Sequence, residues 1–204
     1  MTITWLGHAC FLIETAEGSV VFDPYEPGSV PGVSLPALRA DAVVCSHGHH
    51  DHSYAAGVAL SGAKPGFTLR EIPSFHDDRQ GALRGGNQMT VLEAEGLRLA
   101  HLGDLGHMLN ARQLAALGQL DVLLIPVGGH YTIDAAQAAA LVEALKPRLT
   151  IPMHYRGKGF GYDVIGTVED FAARMGEPLR WPSNSIDPRE TAAPVVILQC
   201  PVNK

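Results

Sequence analysis

The chain has 204 residues, enough for one domain with a sizeable core, and all of 1–204 reads as a single unit without a linker or an internal repeat. Hydrophobic residues make up 46% and charged residues 18%, which excludes a disordered chain. The formal net charge of −6 argues against a general nucleic-acid or membrane-surface binder, because such partners attract basic proteins.

The cysteines, Cys10, Cys45 and Cys200, are odd in number, sit in apolar runs and form no Cys-x-x-Cys pair. A disulfide framework is therefore not expected, and a reducing cytoplasm is. The N-terminal Met1-Thr2-Ile3-Thr4-Trp5 shows no basic region ahead of an apolar run, so no secretory leader is expected. No apolar stretch is long enough to span a bilayer.

In chain order, 2–6 and 10–14 read as short strands around Gly7-His8, and 19–22 as a third that stops at Asp23-Pro24. Residues 25–38 are rich in Pro and Gly and read as a long ordered loop. The apolar run Ala42-Val43-Val44-Cys45 reads as a buried strand, followed by the loop Ser46-His47-Gly48-His49-His50-Asp51-His52. Imidazoles and carboxylates are the ligands of divalent first-row metals. His47 and His49 are two apart and point the same way in extended backbone. Asp51 and His52 follow and can face a second point, so this one loop can begin two metal sites side by side.

A small-residue stretch, 54–66, leads to a strand over 67–73 that delivers Ser74-Phe75-His76. A polar loop over 77–87 precedes a hairpin of 88–93 and 97–102, then Gly103-Asp104-Leu105-Gly106-His107. Residues 110–117 read as a helix capped by Asn110 and Gln113 and ended by Gly118. The apolar run 121–126 reads as a fully buried strand with Val127-Gly128-Gly129-His130-Tyr131-Thr132 after it. Asp134 and Gln137 cap a second helix that runs to Leu145, with Ala138, Leu141, Val142 and Leu145 on one face. A short strand over 149–152 delivers Met153-His154-Tyr155, and a Gly-rich loop fills 156–166. A helix over 167–175 and a strand over 195–199 complete the chain.

The run His47-x-His49-x-Asp51-His52 resembles the His-x-His-x-Asp-His signature of the metallo-β-lactamase superfamily, and the resemblance extends from the N-terminus to about Tyr155. The chain looks similar to the branch of L-ascorbate-6-phosphate lactonase-like and uncharacterised metal-dependent hydrolases, most of all around 127–132. The resemblance implies an α/β fold, a four-layer αββα sandwich, and two divalent metal ions. One ion would take His47, His49 and His76, the other Asp51, His52 and His154, with Asp104 bridging them. Zinc is the expected metal, with manganese, iron or nickel as alternatives. The resemblance also puts Asp23 beneath the site as a carboxylate that fixes a ligand histidine. His8 and His130 either face the site or are satisfied locally, and His107 is a lower-ranked substitute for His76. The segment from His52 to His76 is shorter than the family's by about a helix and a strand.

Two divalent cations balanced by Asp51 and Asp104 keep a positive excess, enough to hold a hydroxide at neutral pH. The expected activity is hydrolysis by that hydroxide, with Asp51 and Asp104 as the catalytic carboxylates. Arg79, Arg84, Arg156 and Lys158 follow His76 and His154, which suggests a small anionic substrate, a lactone or phosphoester. Two other readings are a metal-binding protein without catalysis and an oxidoreductase of the flavodiiron kind. The latter group's signature carries Glu where this chain has His49.

Overall fold

Alternation of apolar residues gives the first three strands, Thr2–Trp5 (β1), Phe11–Thr15 (β2) and Gly18–Phe22 (β3), in a computed structural model that describes residues 1–176 and 178–202. Val20 and Phe22 enter one core and Val21 between them enters another, as the two-residue period of a strand requires. The three strands form an antiparallel meander in which Phe11 stands opposite both Trp5 and Phe22.

Leu38–Ala40 (β4) and Ala42–Val44 (β5) follow. β5 pairs in parallel with β3 at the edge of the sheet and is only half-buried. The continuous apolar run had suggested full burial, but an edge strand has one hydrogen-bonding neighbour and a partly open flank. Val58–Leu60 (β6) pairs in parallel with β4 as a separate ribbon. Sequence reading placed no strand at β4 or β6, because three residues amid Pro, Gly and Ala show no period.

The second sheet begins with Thr68–Phe75 (β7), Gly86–Ala94 (β8) and Leu97–His101 (β9), paired antiparallel. β7 continues past Pro73, where a stop was expected, because β7 is an edge strand and a missing donor is tolerated there. The polar loop consequently shrinks to about 76–85. Ala111–Leu117 (α1) carries the expected capping box of Asn110 and Gln113. Val122–Pro126 (β10) is buried at every residue. Ala135–Leu145 (α2) starts at the expected Asp134–Gln137 box and ends at Lys146 in the left-handed region. Leu149–Met153 (β11) lies parallel to β10, which lies parallel to β9. Glu169–Arg174 (α3) is shorter than expected and has no side-chain cap. Leu179–Arg180 (β12), Ser185–Ile186 (β13) and Val196–Ile197 (β14) are two-residue strands.

The first sheet runs β13-β1-β2-β3-β5 and the second β11-β10-β9-β8-β7, with β12-β14 and β4-β6 as ribbons. Trp5, Phe11 and Phe22 of the first sheet share one core with Met89, Leu99, Leu124 and Ile151 of the second. Leu117, Leu141 and Phe171 bring the three helices into the same core. This is the expected α/β sandwich. A separate cluster forms on the first sheet's other side, where Tyr25, Val30 and Val33 of the long loop, with Leu38, Ala40 and Val58 of the ribbon, cover Cys10 and Val21. That layer is loop and ribbon rather than α-helix, in keeping with the short segment between His52 and His76. Among the described residues no helix is long and apolar enough to cross a membrane.

The parallel strands β3, β5, β9, β10 and β11 direct their C-terminal ends to one edge of the sandwich. Loops leaving strand ends carry ligands on a rigid scaffold. Asp23, the 46–52 loop, Asp104 and His154 all follow such ends.

Candidate metal centre

Asp23 follows β3 with a positive φ of 45° and is 1% exposed. Its Oδ1 accepts the Ser46 N–H at 2.6 Å. Its Oδ2 accepts the Ser46 hydroxyl at 2.6 Å and the His52 Nδ1–H at 2.8 Å. With its own proton given to Asp23, Ser46 Oγ accepts from His47 Nδ1 at 2.9 Å. One buried carboxylate thus fixes His52 directly and His47 through a hydroxyl, and both rings are left with Nε2 free to bind a cation. Burial opposes ionisation of Asp23, but the hydrogen bond and charge of His52, then His101, outweigh it and lower its pKa.

Asp104 is aimed by a second buried network. Its N–H donates to Asn87 Oδ1 at 2.9 Å, while Asn87 Nδ2 donates to Ser74 Oγ at 2.7 Å and to the Leu102 carbonyl at 2.9 Å. Gly103 ahead of it has a φ of 55°, and a Cβ there would run into Asn87 Oδ1 and the Ser46 side chain. Asp104 Oδ2 then lies 3.3 Å from His76 Nε2 and 3.2 Å from Nε2 of both His52 and His154. Burial opposes its ionisation, but His154 and His52 hold the carboxyl well below the ordinary range.

The ligand atoms of His47, His49 and His76 lie within 4.8 Å of one another, and so do those of His8, His52 and His154. His47, His52 and Asp104 form a third such group that links the two. Asp51 belongs to none of these groups among the described residues. Its Oδ2 lies 3.4 Å from His8 Nε2 and 3.8 Å from His52 Nε2. Burial opposes its ionisation too, and His8 and His52 outweigh it, lowering its pKa.

Several buried atoms here lack a hydrogen-bond partner: both ring nitrogens of His8, Nε2 of His47, Nδ1 of His76 and His154, and Oδ1 of Asp104. Buried polar atoms left unpaired are costly, and so many in one place fit a group that is bound there. Burial, reinforced by the neighbouring histidines, pushes the pKa of His8 and His47 down to about 3, which keeps these rings neutral as ligation requires. The donor set of imidazoles and carboxylates therefore suits divalent first-row metals. His8, Asp23 and His154 all hold positive φ without being glycine. Such backbone persists where the surroundings over-determine it, as at functional sites.

A cavity of about 370 Å³ opens over this cluster, floored by His49, Asp51, His76, Asp104 and His154. Arg84, Tyr131, Tyr162 and His50 form its walls. The structure does not bring the four expected cations together. Arg84 lines the cavity with its guanidinium 5.5 Å from the Tyr131 ring centroid. Arg79 is exposed on the loop outside it. Arg156 and Lys158 line a different cavity with Glu169 and Arg180, and Arg156 Nε donates to the Ile165 carbonyl at 2.7 Å. The chain turns away after Tyr155, so closeness to His154 in sequence does not carry into space.

His107 is spent on the backbone, accepting the Phe75 N–H at 3.1 Å and bonding the Met108 carbonyl through Nδ1 at 2.9 Å. It joins no ligand group among the described residues. His130 is exposed beside Tyr131, and the tyrosine rather than the histidine lines the cavity.

A family model described as a beta-lactamase superfamily domain matches residues 2–154. The chain belongs to that superfamily. A metal-dependent hydrolase of Carboxydothermus hydrogenoformans is 30% identical, over 88% of this chain and 96% of the relative. One of Archaeoglobus fulgidus is also 30% identical, over 76% of this chain and 83% of the relative. Among solved structures, a Thermotoga maritima protein assigned as a Zn-dependent hydrolase of the metallo-beta-lactamase superfamily superposes with a TM-score of 0.78. It is 32% identical and covers 98% of each chain. A metallo hydrolase of Ignicoccus hospitalis shares the fold, with a TM-score of 0.65, 20% identity and coverage of 99% of this chain and 96% of its own. These relatives place the chain among the superfamily's metal-dependent hydrolases.

Sequence reading missed several residues that build this superfamily member's site. Ser46, Asn87 and His101 are buried polar residues, and His101 bonds the Ala9 carbonyl at 2.8 Å while accepting the Gly103 N–H at 3.1 Å. His101 thus ties the turn that carries His8 to the turn that carries Asp104. For Ser46 and His101 the signal in the sequence was a polar residue at the end of an apolar run, and Asn87, at the end of a polar loop, gave none. Tyr131 and Tyr162 sit in loops and gave no signal of lining the cavity with the histidines and carboxylates.

Proposed function

We propose that the chain is a dinuclear metal-dependent hydrolase acting on a small anionic ester-type substrate, a lactone or a phosphoester. The observation that carries this reading is the position of Asp104 Oδ2, within 3.2–3.3 Å of His76 on one side and of His52 and His154 on the other. A carboxylate placed between the two groups of histidines would be shared by two ions held there. Zinc suits the nitrogen and oxygen donors best. Two bound divalent ions supply Lewis acidity and a water acidic enough to react near neutral pH.

The chain's own residues do the rest. Asp51, kept ionised and facing the cavity, takes the proton released as water adds to the ester and returns it to the leaving oxygen. Tyr162 holds that carboxylate, its hydroxyl 3.1 Å from Asp51 Oδ2. Arg84, stacked over Tyr131, meets the anionic group of the substrate. The cavity of about 370 Å³ suits a small molecule, near the lower end of the roughly 300–1,000 Å³ typical of such sites. A core continuous from Met1 to Leu198 supports reading 1–204 as one hydrolase domain, and three free cysteines support a cytoplasmic setting.

The test is elemental analysis of untagged protein purified without chelator, followed by a panel of lactones, phosphodiesters and phosphomonoesters. About two ions per chain and turnover of at least one anionic ester are expected. A single ion refutes the dinuclear centre. Two ions without turnover on any of the three substrate classes refute the ester assignment.

A further inference from the structure

We infer that the cavity at the start of α3, separate from the metal cluster, binds a small organic anion. Its carboxylate or phosphate is held by the Tyr155 hydroxyl, Arg156 and Arg180, and its apolar body lies against Phe160, Ile197 and Leu198.

The cavity has a volume of about 390 Å³, as large as the one over the metal cluster and within the range of small-molecule sites. No described residue lines both. One wall is made by a tight turn, in which the Gly157 N–H donates to the Phe160 carbonyl at 3.0 Å. The Phe160 ring lies against Gly157 itself, where a Cβ would collide with it. Ile197 of β14 and Leu198 after it supply the rest of the apolar surface.

Tyr155 is the observation that points to a ligand. It is 4% exposed, and its ring is held by Trp5 and Phe160, with centroids 5.3 Å and 5.9 Å away. A buried tyrosine hydroxyl ordinarily finds a hydrogen-bond partner. This one has none among the described residues, although the residue lines the cavity. The ionisable groups that act on that hydroxyl are Cys200, Arg180 and Glu169, and all three line the same cavity. Burial, then Cys200, pushes its pKa up, so the hydroxyl keeps its proton and can donate to an anion.

The charge around the hydroxyl has the matching sign. In a chain of net charge −6, Arg156, Lys158 and Arg180 line this cavity against one carboxylate, Glu169. Arg156 has no acidic partner among the described residues; its Nε donates to the Ile165 carbonyl, which leaves its two terminal nitrogens for a ligand. Glu169 takes one nitrogen of Arg180 at 2.6 Å, and both side chains of that pair are exposed. A guanidinium has five donors, so Arg180 can serve Glu169 and an anion together. A merely solvated charged surface would not need a buried hydroxyl donor at its base.

Octanoate and octyl phosphate are the probes, with 1-octanol lacking the charge and acetate lacking the apolar body. Each is titrated into the metal-loaded protein by calorimetry, and amide chemical shifts place it. At least one of the two anions should bind, one molecule per chain, and move the amides of 155–160, 167–169 and 197–200; the tighter of the two names the anionic group. Octanol and acetate should each bind at least about ten-fold more weakly. Tyr155→Phe keeps the ring and removes only the donor, and it should weaken the anion about ten-fold. Arg180→Ala, a change at an exposed residue, should weaken it about ten- to a hundred-fold. Glu169→Gln removes the cavity's carboxylate and should tighten the anion about two- to five-fold, a gain that a purely structural role would not give. The inference is overturned if neither anion binds saturably at millimolar concentration, or if octanol binds as tightly as octanoate. It is also overturned if the shifts are confined to residues of the metal cavity, or if all three variants bind the anion as wild type does.

Discussion

Replacing Asn87 by alanine removes the side chain that aims Asp104 without touching any candidate ligand. Asn87 is 2% exposed and makes three hydrogen bonds, to the Asp104 N–H, the Ser74 hydroxyl and the Leu102 carbonyl. Each net bond is worth about 0.5–1.5 kcal/mol, and the Asp104 N–H and Leu102 carbonyl stay buried in the variant. The expected loss is therefore about 2–4 kcal/mol of folding stability. Asn87→Asp tests the mechanism more sharply. It keeps the acceptor for Asp104 but turns a donor toward the Leu102 carbonyl into a charged oxygen in a buried place. At neutral pH it should be less stable than Asn87→Ala, although it is nearly the same shape as asparagine. Urea unfolding of metal-free protein measures these differences, and elemental analysis of the folded variants measures metal content, which should fall in both. The reasoning fails if Asn87→Ala unfolds within about 0.5 kcal/mol of wild type, the range of an ordinary surface change, and binds metal normally.

Asp23→Ala should weaken both ions about 10–100-fold, because Asp23 orients His52 directly and His47 through Ser46; a loss confined to one ion would show that the hydroxyl relay carries nothing. His107→Ala should leave metal content unchanged, since both its ring nitrogens are taken by backbone. Arg84→Ala should raise KM for an anionic ester about ten- to a hundred-fold with little change in kcat, while Lys158→Ala changes neither. Equal KM effects from Arg84 and Lys158 would refute the placement of the anion. Asp77 accepts the backbone N–H groups of Arg79, Gly81, Leu83 and Arg84, which outweigh burial and hold its carboxyl down at about 2. Its folded pKa lies below the unfolded value, so its stabilisation is complete above the ordinary carboxyl range and is lost as pH falls through about 2. NMR titration of the Asp77 carboxyl should give that value, and an ordinary one near 4 would show that the loop carrying Arg84 is not anchored this way.

The sequence by itself determined the features that depend on neighbours in the chain. His47, His49, Asp51 and His52 lie within six residues, so their joint chemistry needs no knowledge of the fold. The helices starting at Asn110 and Asp134 were legible because a capping box is a contact between residues three apart. Strand β10 was legible because a strand buried on both faces reads as an unbroken apolar run. Tertiary structure alone decided the rest. Strands β4, β6, β12 and β13 have two or three residues each, and they exist because a distant strand pairs with them. Arg84 and Lys158 looked alike as loop cations, and only the path of the chain after His76 and after Tyr155 put one beside the candidate metal ligands and the other in a separate cavity. His8 and His154 are far apart in sequence, and a single backbone hydrogen bond from His154 to the His8 carbonyl brings their rings together. Spacing along a chain fixes which side chains a local segment can offer; which of them converge is fixed by hydrogen bonds and burial between segments that have no other connection.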